Sequence, residues 1–182
     1  MSIGAVMPSS RTLARAMTRD LPLRDGGCVV EFGPGTGPFT RAIADRLPSA
    51  ADYLGIERDA GFVALLRARF PELTIVEGSA EQALKLHREH GKPGARVVVC
   101  GLPFASLPPT VQDNVIEAID GLLADGGEFR TFQYVHAYPL PTAVRFRRRM
   151  SAIFGPCDRG RAVWRNMPPA YVLTWRRARG GQ

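Results

Sequence analysis

"VVEFGPGTGPFT", residues 29–40, carries an apolar run into an acid and then into glycines at every second position, Gly33, Gly35 and Gly37. Such a run is a buried strand that delivers its end to a ligand, since only glycine lets the backbone approach without a Cβ in the way. Two phosphate-binding patterns fail here. A dinucleotide fingerprint needs a third glycine where this chain has Pro38. A P-loop needs Gly-Lys-Ser/Thr, and none follows. The pattern left is acid-x-Gly-x-Gly-x-Gly, with Glu31 as the acid.

Outward from this loop, short β-branched runs alternate with amphipathic stretches. Strands are expected at 27–32, 53–57, 73–77, 95–102 and 128–135, with helices at 9–17, 39–47, 60–70, 80–90 and 109–123. The "ADGG" stretch, 124–127, reads as the loop into the fifth strand. A helix is expected around 141–152 and two strands near 160–166 and 170–176. Helical crossovers of this length require a parallel sheet with helices on both faces. The last two strands lack a helix between them and should close the sheet as an antiparallel hairpin. The expectation is one α/β domain over 1–182, Rossmann-like, with a mostly parallel seven-stranded sheet. Ligands of such sheets bind beyond the C-terminal strand ends, where the glycine loop lies.

The 182 residues suffice for one hydrophobic core, and no apolar run reaches the roughly 18 residues of a membrane-spanning helix. "MSIGAVMPSS" has neither the charged nor the apolar region of a secretory leader. Cys28, Cys100 and Cys157 lack metal spacing, so free thiols in a reducing cytoplasm and no metal are expected. The net charge of +7 favours anionic partners, nucleic acid or a phospholipid surface. It is concentrated late, in "RFRRRM" (145–150), "RGRAVWR" (159–165) and "WRRARGG" (175–181), each of which a solvated face would also explain.

The acid-and-glycine loop resembles motif I of class I S-adenosylmethionine-dependent methyltransferases. The resemblance implies donor contacts from Glu31, Gly33, Gly35, Thr36 and Gly37, with Glu31 facing the cationic amino-acid end through water. Glu57, ending the next strand in "GIERD", falls where an acid grips the ribose hydroxyls, and Arg58 would flank adenine. Gly78, Ser79 and Ala80 stand where the family has Gly-Asp-Ala at the adenine edge, so Ser79 would accept from the adenine amine more weakly than a carboxylate. Ser9 and Ser10 open a helix over 9–20 that would cover the methionine end; an N-cap alone explains them equally well. S-adenosylmethionine is the expected cofactor and S-adenosylhomocysteine the product.

"CGLPF", 100–104, bears on the acceptor. Methyltransferases acting on adenine amines carry an amide or carboxylate followed by Leu/Pro-Pro-aromatic, whose side-chain oxygen accepts from the amine of a flipped base. Here Gly101 replaces it, ahead of Leu102 and Pro103, the three also being donor-site candidates. Over nearly the whole chain, "IGAVMPSSRTLARAM", "VEFGPGTGPFT", "GLPFASLP", "FQYVHAYP" and "WRNMPPAYV" resemble the bacterial phosphatidylethanolamine N-methyltransferases, themselves similar to ribosomal RNA adenine dimethyltransferases. Members of that family begin with a further amphipathic helix on the membrane surface, and this chain starts where that helix would end.

The resemblance implies transfer of methyl groups to a lipid head-group amine. Tyr134 would orient the amine and stabilise its charge, and His136 would take its proton; a core aromatic and a polar strand-end residue are the alternatives. Asn166 is either an active-site amide or a turn residue. Arg11, Arg161 and Arg165 are candidates for a lipid phosphate, or simply solvated. The expected partner is a phospholipid or other amine, with peripheral contact at the inner face of the membrane; nucleic acid is the less favoured partner. The rival readings are an RNA or small-molecule amine methyltransferase on the same fold, and a catalytically silent donor-binding domain.

Overall fold

The computed structural model describes residues 9–23 and 27–180. The leader reading of the first ten residues and the resemblance over 3–8 therefore lie outside the described residues, apart from Ser9 and Ser10.

The β-branched runs form strands: β1 (Cys28–Phe32), β2 (Tyr53–Glu57) and β4 (Ala95–Cys100), buried along nearly their whole length, and β3 (Thr74–Glu77), buried at its centre. Between them run α2 (Pro38–Ala44), α3 (Ala60–Arg69) and α4 (Ala83–Glu89), all preceded by α1 (Arg11–Met17). After β4 come α5 (Pro109–Leu122), β5 (Leu123–Tyr134), α6 (Pro141–Phe154), β6 (Asp158–Val163) and β7 (Ala170–Arg176). The seven strands lie in the order β3-β2-β1-β4-β5-β7-β6. β1 to β5 are parallel, and β7 runs antiparallel between β5 and β6, so the closing hairpin inserts its second strand and leaves its first at the edge.

Side chains alternate across the sheet and seed a core on each face. Val30, Phe32, Val98 and Phe129 pack with Ile116, Phe146 and Trp175 on the side of α4, α5 and α6. Val29, Tyr53, Val97 and Phe132 pack with Leu13, Ile43 and Leu66 on the side of α1, α2 and α3. Glu31, two residues after Val29, points into this second layer, which is why its carboxylate ends up enclosed.

Two elements differ in kind from expectation. The "ADGG" stretch lies inside β5 as an irregularity, because Leu123 already pairs with Ala95 and the ladder resumes at Val97–Glu128. Gly126 turns at φ +70, and a Cβ on Gly127 would stand 2.8 Å from the Ala124 carbonyl, so glycine here serves a bulge. The helix expected over 80–90 is a 3-10 turn, Ala80–Gln82, followed by α4.

Helix α1 is short but held at both ends. Ser10 caps it by accepting from the Leu13 N–H, while the Ser10 N–H itself donates to Asn166 Oδ1 at 2.9 Å. At the other end, buried Arg130 donates to the carbonyls of Met17 and Arg19 while pairing with Glu128 at 2.7 Å.

Candidate active site

The first four strands end together, and carbonyls at the ends of β1 and β2 accept from the loops that follow the neighbouring strands. Gly33 N–H donates to the Ile56 carbonyl, Gly78 N–H to that of Glu57 and Gly101 N–H to that of Phe32. This ladder lines up the glycine loop, the end of β2 and the "CGLP" segment along one rim. Gly33, Gly35 and Gly37 have φ values of +65, +57 and +84, a conformation L side chains rarely adopt. A Cβ on Gly35 would meet nothing within 4 Å, so that loop tip faces open space; one on Gly37 would strike Leu66 and Phe70. Gly35 thus borders an open cradle, whereas Gly37 is set by helix packing.

Glu57 closes the cradle from β2. Its Oε2 accepts from the Gly35 N–H and its Oε1 from the Asp59 N–H, both at 2.9 Å. Each carboxylate oxygen keeps a lone pair for a hydroxyl donor. Glu31 lies deeper. Its Oε2 accepts from the Tyr53 hydroxyl at 2.6 Å and from Thr40 Oγ1 at 2.9 Å, while its buried Oε1 has no partner among the described residues. Burial pushes the Glu31 carboxyl up to about 7, against the opposing pull of the Tyr53 and Thr40 hydrogen bonds and with the Glu57 charge adding to the rise. An unpartnered buried acceptor behind an open glycine cradle suits the cationic, hydroxyl-bearing donor that the loop implies.

At the next strand end Ser79 is already occupied. It caps the 3-10 turn in a capping box with Gln82, and its hydroxyl donates to Glu81 Oε2 at 3.2 Å. The Ser-x-x-Gln spacing of a capping box was present in the sequence and is the signal for this role. Gly78 is small because a Cβ there would lie 2.6 Å from Leu86 Cδ1. Arg58 is exposed beside Glu57, and Thr36 gives its carbonyl to Arg69 Nη1 at 2.8 Å.

Gly101 has a packing cause. Its added Cβ would stand 2.7 Å from the Gly33 carbonyl oxygen, because the end of β4 presses on the glycine loop. Leu102 covers Gly33 in turn, at 2.7 Å from a Cβ built there. Gly101→Asn is expected to force these two loops apart. Overpacking of this kind costs about 1–3 kcal/mol, and at 182 residues the melting temperature should fall by roughly 3–10 °C. An unchanged thermal melt would show that packing does not set this glycine.

Beside Pro103, a cavity of ≈ 290 Å³ is lined by Phe104, Phe132, Tyr134, His136, Leu140 and Pro168 among others. The Tyr134 and His136 rings stack with centroids 5.6 Å apart and planes 9° apart, although His136 lies just beyond the strand in a 3-10 turn. Burial pushes the Tyr134 hydroxyl pKa up, keeping it protonated, while His136 remains exposed.

Asn166 does not reach this cavity with a free amide. It is 3% exposed, its Oδ1 holds the Ser10 N–H, and its Nδ2 donates to the Pro168 carbonyl at 2.7 Å. It therefore sits in the β6–β7 turn, as the turn alternative had it, and links the start of α1 to the segment lining the cavity. Arg161 and Arg165 flank a groove of ≈ 810 Å³ between α1 and the β6–β7 hairpin. Arg11 lines a second groove, ≈ 760 Å³, with Thr36 and Gly37. Arg15 lines both grooves.

Sequence reasoning missed Thr40, Tyr53 and Arg130. The first two come together with Glu31 only in three dimensions. Arg130 had a signal, since Glu128 and Arg130 are opposite charges two apart in one strand and share a face. Among the described residues no His/Cys/Asp/Glu group could hold a metal ion, and no helix is long and apolar enough to cross a membrane.

Comparison with known proteins agrees with this geometry. The model of a methyltransferase domain matches residues 29–127. An ornithine lipid N-methyltransferase from Singulisphaera acidiphila is 34% identical over 176 residues, covering 93% of this chain and 85% of that protein. A ribosomal RNA small subunit methyltransferase A from Chlorobaculum parvum is 28% identical over 100 residues, 54% of this chain and 34% of that protein. In structure, an rRNA methylase from Streptococcus thermophilus superposes with a TM-score of 0.67 at 13% identity, covering 92% of this chain and 95% of the other, which speaks for the fold alone.

Proposed function

Since the chain belongs to the class I S-adenosylmethionine-dependent methyltransferase family, we propose that this enzyme methylates the head-group amine of a membrane lipid, phosphatidylethanolamine being the specific expectation. The observation that carries the acceptor reading is the contact between Gly101 and the Gly33 carbonyl. It removes from the rim the side-chain oxygen with which a base-methylating enzyme would take an exocyclic amine. What adjoins the rim is a largely aromatic cavity, and the amide in its lining, Gln133, already gives its oxygen to Arg147 at 2.6 Å. The lipid-acting relative, matched over most of both chains, supports the same choice.

The donor supplies a methyl group already activated on a sulfonium, so the protein's task is positioning. In this reading Glu57 holds the ribose hydroxyls and Glu31 the ammonium end, with the backbone of Gly33 and Gly35 alongside. Arg58, Gly78, Ser79 and Ala80 border adenine, and Leu102 and Pro103 separate donor from acceptor. An ammonium cannot attack, so the amine must reach the cavity neutral or lose its proton there. Exposed His136 passes that proton to water, and the face of Tyr134 stabilises charge gathering on nitrogen. Asn166 acts by positioning, holding Ser10 and Pro168 together. Arg11, Arg161 and Arg165 suit a phosphate or a carboxylate, the two anions a guanidinium binds bidentately.

The test has two stages. Calorimetry with S-adenosylhomocysteine checks the donor site, which must bind it. Methyl-labelled donor is then supplied with liposomes containing phosphatidylethanolamine or an ornithine lipid, and separately with total RNA. Label is expected in the lipid. Label in RNA alone would overturn the acceptor reading and leave the donor site standing.

A further inference from the structure

Trp164 and Met167 are 71% and 70% exposed, the two most exposed large apolar side chains among the described residues. Both lie in the turn between β6 and β7, separated by Arg165 and the buried Asn166. A tryptophan that open to water has lost what usually recommends it, unless its ring meets a surface that is apolar on one side and wet on the other.

The surroundings say which surface. The Asn166 side chain ties this turn to the start of α1, which brings Arg11 and Arg15 to the same region as Arg161 and Arg165. Among the described residues none of these four arginines is in an ion pair. Asp158 also lines the groove, but it stands 3.8 Å from Arg176; Asp20 lies at its α1 end. Next to Met167, Pro168 lines the acceptor cavity, as does Leu140, itself 45% exposed. Apolar tip, basic flank and cavity mouth therefore belong to one side of the molecule.

We infer that the β6–β7 turn and the exposed face of α1 dock on an anionic phospholipid bilayer, with Trp164 and Met167 inserted at the head-group level and Arg11, Arg15, Arg161 and Arg165 against the lipid charge. This rests on the lipid reading above and adds the face by which the bilayer is approached. RNA fits the charge and would stack on Trp164, but Met167 and Leu140 offer no stacking plane. A bilayer uses all of these groups at once, since tryptophan settles at the interface and each arginine near an anionic leaflet adds attraction. Docking this way sets the cavity mouth at the level of the head groups, so an amine enters without its lipid leaving the leaflet.

The test uses vesicles of phosphatidylcholine with phosphatidylglycerol, which carry no primary amine, so docking is read without methyl transfer. The chain has two tryptophans, and Trp175 is fully buried, so quenching by brominated phosphatidylcholine reports on Trp164. Expected are sedimentation with the vesicles and quenching of the exposed tryptophan. A loss of binding of about tenfold or more is expected in Trp164→Ala/Met167→Ala, in Arg161→Gln/Arg165→Gln and on vesicles of phosphatidylcholine alone. All four positions are surface-exposed, and circular dichroism checks that the variants fold. Binding without quenching, no loss in either variant, or tight binding to RNA with none to vesicles would each overturn the docking face. Methyl transfer to a detergent-dispersed amine lipid is measured in parallel. Its failure would sink the acceptor reading instead.

Discussion

Glu57→Ala is expected to abolish donor binding while leaving the fold in place. The carboxylate holds Gly35 and Asp59 by one hydrogen bond each and keeps a lone pair on each oxygen for a ribose hydroxyl. Hydrogen bonds to a charged group contribute about 1.5–3 kcal/mol each, so losing two should raise the dissociation constant of S-adenosylhomocysteine at least about 100-fold. The free protein should suffer far less. Gly35 faces open space, so water can replace the lost acceptor at roughly 1 kcal/mol, a fall of about 2–4 °C in melting temperature. Calorimetry beside a thermal melt separates the two effects, and unchanged affinity would place the ribose elsewhere.

Glu31→Gln is the second large effect, and it has a sign that depends on pH. Burial raises the folded-state carboxyl from 4.5 to about 7, so between those values the folded protein keeps a proton that the unfolded chain releases. The group's contribution to stability is therefore present below 4.5 and lost as pH rises through about 7. A shift of that size corresponds to about 3 kcal/mol. Glutamine carries no charge to bury, so the variant should melt higher than the parent at pH 8 and nearly the same at pH 4.5. Donor affinity should move the other way. An ammonium favours the ionised carboxylate, so in the parent it tightens as pH rises through 7, whereas in the variant it is weaker by roughly 10- to 100-fold and flat. A variant whose melting and affinity follow the parent's pH profile would show that Glu31 stays charged throughout.

Most of the parallel half of the sheet was legible from sequence because its strands are buried β-branched runs with helices between them. β2 begins and ends where "YLGIE" does. The bulge in β5 was not, since Gly126 and Gly127 look the same in a turn as in a strand irregularity; only the pairing of Leu123 with Ala95 distinguishes them. The glycine loop and its two acids follow a local order of acid, glycines and second acid, so these candidates could be named residue by residue. The partners of Glu31 come from α2 and β2, and the amide of Asn166 meets a backbone N–H 156 positions away. Contacts of that span leave no local pattern. For Gly101 the residue was visible and its cause was not, because the opposing Gly33 carbonyl belongs to the loop after β1, far off in sequence.

The anchoring of α1 has a consequence for how the chain assembles. At seven residues the helix is too short to persist alone. Its fastenings come from Arg130, 113 positions on from Met17, and from Asn166, near the end of the chain. During synthesis Leu13 and Met17 can meet α2 and the parallel half of the sheet while the Ser10 end of α1 still lacks its Asn166 partner. The fastening at Ser10 is then the last of the α1 contacts to be made, since it waits for the β6–β7 turn.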